Sequence, residues 1–250
     1  MSGRIFLTGD LHGTIDVHKL SSSTFTIGTK LKRDDYVIIL GDFGFLWTPY
    51  PSKEEIWWLK WFDEIKTWTT LVVDGNHDNQ ERYSLLPTVE MFGSEVGYIS
   101  DSIFHLRRGH IYNIPDLDSE YSFFVMGGAT SIDKEQRIEG ISWWPAEVPC
   151  YAEFELGLQN LEKHNWKVDY ILSHTGPQYV IDEYLESMQQ SLSKVGRCND
   201  PVQQYLNNVH EYTTFKRHFF GHMHPDKTWV SSDGKSVCIY NDIIRLIEEK

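Results

Sequence analysis

Short apolar runs rich in β-branched residues recur along the chain, and each is followed by a polar cluster. Arg4-Ile5-Phe6-Leu7-Thr8, Tyr36-Val37-Ile38-Ile39-Leu40, Thr70-Leu71-Val72-Val73-Asp74, Tyr121 to Met126, Val168 to Leu172 and Arg217 to Phe220 read as strands buried on both faces. Between them the spacing changes to a helical one. Ser52-Lys53-Glu54-Glu55 matches a capping box, and Ile56, Leu59, Trp61, Phe62, Ile65 and Trp68 carry a broadly helical apolar pattern behind it. Helices are also expected over Tyr151 to Asn165, Gln178 to Leu192, and from Asp200-Pro201 through about Tyr212, the last with an aspartate cap and proline at the first position. Ser232-Asp233-Gly234 between Trp229-Val230 and Ser236 to Tyr240 signals a hairpin. From Glu90 to Pro115 the pattern weakens, with short strands expected only at Val96 to Ile99 and Ile103 to Leu106. His105 and His110 there read as structural or solvated. The strand–helix–strand succession implies parallel pairing with right-handed crossovers. The tryptophans Trp57, Trp58, Trp61 and Trp68 are expected in helix–sheet packing.

No internal repeat or low-complexity linker interrupts this pattern, so one domain over residues 1–250 is expected. The 40% hydrophobic and 14% aromatic content allows a sizeable core and excludes wholesale disorder. A net charge of -13 argues against non-specific nucleic-acid binding, which needs a basic face. It leaves a phosphate substrate possible where bound cations reverse the local field. Cys150, Cys198 and Cys238 are far apart and outside any C-x-x-C pair, as expected of reduced structural thiols. With no signal-peptide pattern and no long apolar span, a cytoplasmic protein is expected.

The polar clusters at the strand ends hold the chemistry. Three runs end in glycine followed by Asp or Asn: Gly9-Asp10, Gly41-Asp42 and Gly75-Asn76. Asp10 and His12, two apart, would point the same way on extended backbone. His77 and Asp78 follow Asn76, a lone His174 follows another strand, and Gly221-His222-Met223-His224 closes the series. One such cluster is an ordinary polar turn. Together they supply hard oxygen and borderline nitrogen ligands at one sheet edge, a set that suits Mn, Fe, Zn or Co better than Ca.

In this order, Asp10-x-His12, Gly41-Asp42, Gly75-Asn76-His77-Asp78, His174 and Gly221-His222-x-His224 resemble the calcineurin-like metallophosphoesterase superfamily. Gly127 to Pro149 looks like a bacterial and phage subgroup of it. The resemblance implies an α/β fold, a four-layer αββα sandwich, with two divalent or trivalent metal ions (Mn, Fe or Zn) at its rim. It implies Asp10, His12 and His224 on one metal, Asn76, His174 and His222 on the other, and Asp42 bridging both. A hydroxide held between the metals would attack a phosphate ester, with His77 as general acid and Asp78 orienting it.

Two departures refine this. In the protein Ser/Thr phosphatases of the superfamily a phosphate-binding arginine follows Gly-Asp closely, whereas Phe43-Gly44-Phe45-Leu46-Trp47 stands here. Their histidine motif also ends in glutamate rather than Asp78. Both favour a nucleotide, another phosphodiester or a small monoester, with Arg82 or Arg137 as candidates to bind the phosphate. The partner expected is thus a small phosphorylated substrate, with no membrane. A protein-phosphatase-like or nuclease-like activity, or a non-catalytic scaffold, are the alternatives. The long Thr130 to Pro149 segment is expected to cap the substrate site.

Overall fold

The computed structural model describes residues 3–117, 119–188 and 200–247. In chain order its strands and α-helices are β1 (Ile5–Thr8), β2 (Tyr36–Leu40), α1 (Lys53–Glu64), β3 (Thr69–Val73), α2 (Gln80–Ser84), β4 (Thr88–Met91), β5 (Ser94–Ser100), β6 (Ile103–Leu106), β7 (Ile111–Asp116) and β8 (Ser119–Met126). There follow α3 (Tyr151–Lys163), β9 (Tyr170–Ser173), α4 (Gln178–Ser187), α5 (Pro201–Tyr212), β10 (Arg217–Phe220), β11 (Trp229–Val230), β12 (Ser236–Cys238) and β13 (Ile243–Arg245).

Two sheets form, in the orders β13-β1-β2-β3-β6-β5-β4 and β11-β12-β10-β9-β8-β7. In the first, β1, β2, β3 and β6 run parallel. In the second, β8, β9, β10 and β12 do. Antiparallel strands finish both edges. Alternation along each central strand assigns its side chains to two cores. Ile5 and Leu7 of β1, and Ile38 and Leu40 of β2, meet Phe123, Val125, Leu172 and Phe219 between the sheets. Phe6, Val37 and Ile39 face the other way, onto Leu20, Phe62 and Trp68. On the far side Phe124, Met126 and Ile171 pack against Leu161 of α3 and Val202 and Leu206 of α5, while α4 packs Val180 and Ile181 near Phe220 and Cys238. The result is the expected helix–sheet–sheet–helix sandwich. Its parallel strands explain the nearly continuous apolar runs, since both faces of each sheet are covered.

Most predicted elements are present with ends shifted by one or two residues. The last residues expected in α4, 189–192, and Cys198 lie outside the described residues; Cys150 and Cys238 are free thiols. Ser52 caps α1 through a 3.0 Å bond from the Glu55 N–H. Four elements were not anticipated: α2, β4, β7 and β13. β7 carries Asn113 and Pro115, which hide its strand pattern, and proline is tolerated there because β7 is an edge strand. Trp58 and Trp61 pack partly buried against the core and Trp68 is buried, but Trp57 is exposed.

A buried ion cluster ties β3 to the segment after β6. Asp74 receives Arg108 Nε at 2.8 Å and lies 3.0 Å from His105 Nε2. Arg108 continues to the Ala146 and Glu147 carbonyls, pinning the 130–149 segment to the sheet. Burial alone would raise the Asp74 pKa, but the Arg108 charge and the His105 bond hold it well below the carboxylate range. His105 is therefore structural; His110 bonds the Ser94 hydroxyl at 2.8 Å. Removing Arg108 strands a buried carboxylate. Arg108→Met is expected to lower the unfolding free energy by about 3–5 kcal/mol in urea titrations, with part restored by adding Asp74→Asn; a single variant as stable as the parent would contradict this.

Candidate metal centre

Five parallel strands end at one rim. β1 delivers Asp10 and His12, β2 Asp42, β3 Asn76 and His77, β9 His174, and β10 His222 and His224. The backbone there is tight. A Cβ on Gly75 would come within 2.1 Å of Asp42 Oδ1, and one on Gly41, whose φ is +105, within 2.0 Å of His174 Nδ1. Glycine ends these strands because ligand side chains occupy the space a β-carbon would fill.

Among the described residues eight non-glycine residues have positive φ, and four are His12, Asp42, His222 and His224. Such backbone costs roughly 1–3 kcal/mol per residue and persists where the surroundings over-determine it. This corrects one expectation: Asp10 and His12 converge through a left-handed turn at His12, not through the two-residue period of extended chain.

The donor atoms of Asp10, His12, Asp42 and His224 all lie within 4.8 Å of one another. His224 Nε2 is 2.6 Å from Asp10 Oδ2, and His12 Nε2 is 3.3 Å from Asp42 Oδ2. On the other side of Asp42, His174 Nε2 is 3.4 Å from Oδ1 and 2.9 Å from Asn76 Oδ1. The His222 ring stands 4.9 Å from that of His174. Asp42 thus presents one oxygen to His12 and the other to His174.

The surrounding hydrogen bonds test whether cations fit. His12 Nδ1 lies 2.8 Å from Asp16 Oδ2, and His174 Nδ1 lies 2.9 Å from the Leu40 carbonyl. Each acceptor fixes the proton on Nδ1 and leaves the Nε2 lone pair aimed at oxygen atoms. Asn76 donates its amide to Ser131 Oγ at 2.9 Å, and that hydroxyl donates to Glu147 at 2.5 Å, so Asn76 turns its oxygen inward. Lone pairs facing lone pairs are repulsive unless protons or cations lie between them. The donor set fits cations.

The charges respond accordingly. Burial lowers the His12 pKa, but the Asp42 bond and the Asp10 charge outweigh it and raise it to about 9. His174 is likewise raised against its burial by Asp42 and Asp10. Burial would raise Asp42, but His174 and His12 press it far below the carboxylate range. His222, beside His174 and with less compensation, falls to about 3 through burial and that neighbour's charge.

The remaining predicted residues divide. His77 lies beside the cluster, its ring 5.6 Å from His12 and near-parallel to Trp47 at 6.1 Å. Asp78 does not orient it: the fully buried carboxylate takes the N–H groups of Phe43, Gly44 and Gly75 at 2.8–3.2 Å, bracing one ligand loop against the other. Burial and the Asp42 charge raise its pKa to about 7. His77 meets Arg137 instead, whose Nη1 and Nη2 lie 3.1 Å from the two ring nitrogens. Those nitrogens point apart, so the guanidinium lies against the ring face rather than bonding both in plane. Asp133 holds Arg137 at 2.8 Å. Arg82 is elsewhere engaged, in a two-pronged bond to buried Glu55 at 2.6 and 2.7 Å. Phe43 and Phe45, where an arginine would bind phosphate in protein phosphatases, are buried in the core.

Sequence reasoning missed the supporting shell. Asp16, four residues after His12, also accepts from the Tyr240 hydroxyl at 3.1 Å, and the Tyr240 ring stacks on His224 at 4.4 Å. Lys19 is buried with its ammonium on the carbonyls of Asp10 and Tyr240 at 2.6 and 2.7 Å. Only the i,i+4 spacing of Asp16 and His12 was available as a signal.

The family model described as calcineurin-like phosphoesterase matches residues 3–226, spanning every residue of the cluster. No curated protein matches the chain.

A proton on His12 competes with a cation for the same lone pair. Cation affinity is therefore expected to rise with pH from about 6 to 9, the His12 pKa being about 9, with about one proton released from this ring on binding near neutrality. Calorimetry of Mn binding in buffers of different ionisation enthalpy measures the release; affinity flat with pH would contradict the assignment.

Proposed function

The chain belongs to the calcineurin-like phosphoesterase family, and from that premise we propose that it is a metal-dependent hydrolase of a small phosphate ester. The observation that carries this reading is Asp42, with one carboxylate oxygen toward His12 and one toward His174. Asp10, His12 and His224 would hold one cation, Asn76, His174 and His222 a second, and Asp42 would bridge them. When bound, two such cations neutralise phosphoryl charge and make water more acidic.

The chain's own residues supply the rest. Arg137 is the one of the two candidate arginines beside the cluster, held by Asp133 against the His77 ring. It suits a phosphoryl oxygen, since a guanidinium binds such oxygens in two-pronged fashion. His77 serves the leaving oxygen. Burial lowers its pKa, and Arg137 adds to this against the opposing Asp42 charge, so both disfavour a proton on the resting ring. An anionic substrate beside it raises the pKa again and draws a proton onto the ring. In the displacement, oxygen from water bonds to phosphorus, the ester P–O bond breaks, and the His77 proton passes to the departing oxygen. The 130–149 segment, with Trp144 buried against Trp47 at 4.8 Å, would cap the cavity and carry Arg137 over it.

No helix among the described residues is long and apolar enough to cross a membrane.

Hydrolysis of an aryl phosphomonoester or a diaryl phosphodiester should appear on loading with Mn, Fe, Zn or Co and vanish with chelator; turnover indifferent to chelation would defeat the reading. His77→Ala should lower kcat roughly a hundred- to ten-thousandfold with metal content retained. Arg137→Ala should cost about 10–100-fold in kcat/KM, the worth of a charged hydrogen bond of roughly 1.5–3 kcal/mol. Unchanged kinetics in either variant would remove that residue from its role.

A further inference from the structure

Two grooves among the described residues border the candidate metal centre. One, of about 230 Å³, runs past His12 and Gly44 to Trp47, Thr48 and Glu55. The other, of about 210 Å³, runs past His222 and His224 into a recess lined by Ile132, Ile181, Leu185 and Met223, with Asp200 and Gln203 among its walls. The His12 and His224 rings are 4.8 Å apart, so the two grooves meet at the cluster. A phosphomonoester has one organic arm to place. A phosphodiester has two, both attached to the phosphorus held between the grooves.

Resting on the hydrolytic reading above, we infer that the substrate is a phosphodiester whose leaving arm lies along the Trp47 groove and whose retained arm enters the recess beside α4. The leaving arm belongs on the Trp47 side because His77 stands there, near-parallel to Trp47 and 5.6 Å from His12. The retained arm meets different chemistry. Ile132, Ile181, Leu185 and Met223 give the recess an apolar side, which favours a ring or short aliphatic body. The Asp200 carboxylate is buried, 1% exposed, and takes the N–H groups of Thr130 and Val202 at 2.9 and 2.8 Å. Burial raises its pKa against those bonds, and a carboxyl group in either protonation state still offers an oxygen that accepts. A neutral or positive group at the far end of the retained arm, such as an amine, therefore meets this wall better than a second anion would. Hydrolysis releases the leaving arm as an alcohol carrying the His77 proton, and the retained arm departs as its phosphomonoester with the oxygen taken from water.

The test compares three esters that all release para-nitrophenolate from the Mn-loaded protein: para-nitrophenyl phosphate, its methyl diester, and its para-aminophenethyl diester. The aminophenethyl diester should exceed the methyl diester in kcat/KM by about tenfold or more, as filling an apolar pocket allows. Ile132→Trp at the rim, where the side chain is 62% exposed, and Ile181→Trp deeper in should collapse that ratio, with metal content and Tm checking that each variant folds. Asp200→Asn should reduce it less than Ile181→Trp does. Equal rates for the two diesters, a ratio unmoved in the folded Ile132→Trp protein, or a preference for the monoester would overturn the inference. Absence of turnover with all three esters would defeat the hydrolytic reading instead. Calorimetry then decides the recess: para-aminophenethyl phosphonate binding tighter than methylphosphonate, with the difference lost in Ile132→Trp, supports it, and equal binding overturns it.

Discussion

The arrangement of this rim turns on a single electrostatic problem. Two carboxylates, Asp10 and Asp42, are removed from water and set against imidazole nitrogens whose other nitrogens are already committed. Desolvated charge of one sign is untenable alone, because burying an isolated carboxylate is far costlier than any local packing gain. Positive charge must enter. Asp42 and Asp10 accordingly favour protons on His12 and His174, raising both pKa values against burial. Cations meet the same demand and release those protons. The site is thus built around a charge deficit, and its tendency to bind metal is the same fact as its unusual titration.

The sandwich makes that deficit sustainable. Parallel strands of two sheets bring their carboxyl ends to one rim, as in other open α/β sheets where ligands gather at strand ends. Glycines at those ends allow neighbouring ligands to crowd together, and left-handed turns at His12, Asp42, His222 and His224 re-aim the side chains after the strands stop. Backbone amides supply further positive potential: the N–H of His77 bonds Asp42 at 2.6 Å, and that of His222 bonds Asp10 at 3.0 Å. The Lys19 ammonium draws the Asp10 and Tyr240 carbonyls together. The strain in these turns is held by the cores on either side of each sheet.

The parts of this that were legible in the sequence are those set by local pattern. The apolar runs of β1, β2 and β3 and the glycine-plus-ligand endings identify the rim because strand burial and turn chemistry are short-range. The supporting shell was not legible. Lys19, Asp16, Tyr240, Ser131 and Glu147 are ordinary residues in sequence, and they matter only because chain closure brings Tyr240 to Asp16 and folds the 130–149 segment onto Asn76. The edge strands β4, β7 and β13 escaped for a related reason: an edge needs only one good neighbour, so its own pattern can be poor. Arg137 and Arg82 show the limit most plainly. Sequence offered both as anion ligands, and only tertiary packing separates the one pinned to Glu55 from the one laid on His77.

Asp78 carries the argument one step further. Adjacent in sequence to His77, it suggests an acid and its orienting carboxylate. In the fold it is spent on three backbone N–H groups that join the Asp42 loop to the Gly75 turn, and the imidazole lies against Arg137 instead. A carboxylate bonded to that ring would favour its proton; burial and the guanidinium disfavour it, against the Asp42 charge. In the proposed reaction, protonation of His77 would be tied to the arrival of negative charge, and Arg137, which helps burial to discourage the proton, is also the proposed ligand of the phosphoryl oxygens. On the proposed mechanism the acid would be armed by the substrate, and the segment from 130 to 149, by carrying Arg137, would couple recognition of the phosphate to the proton its ester bond needs in order to break.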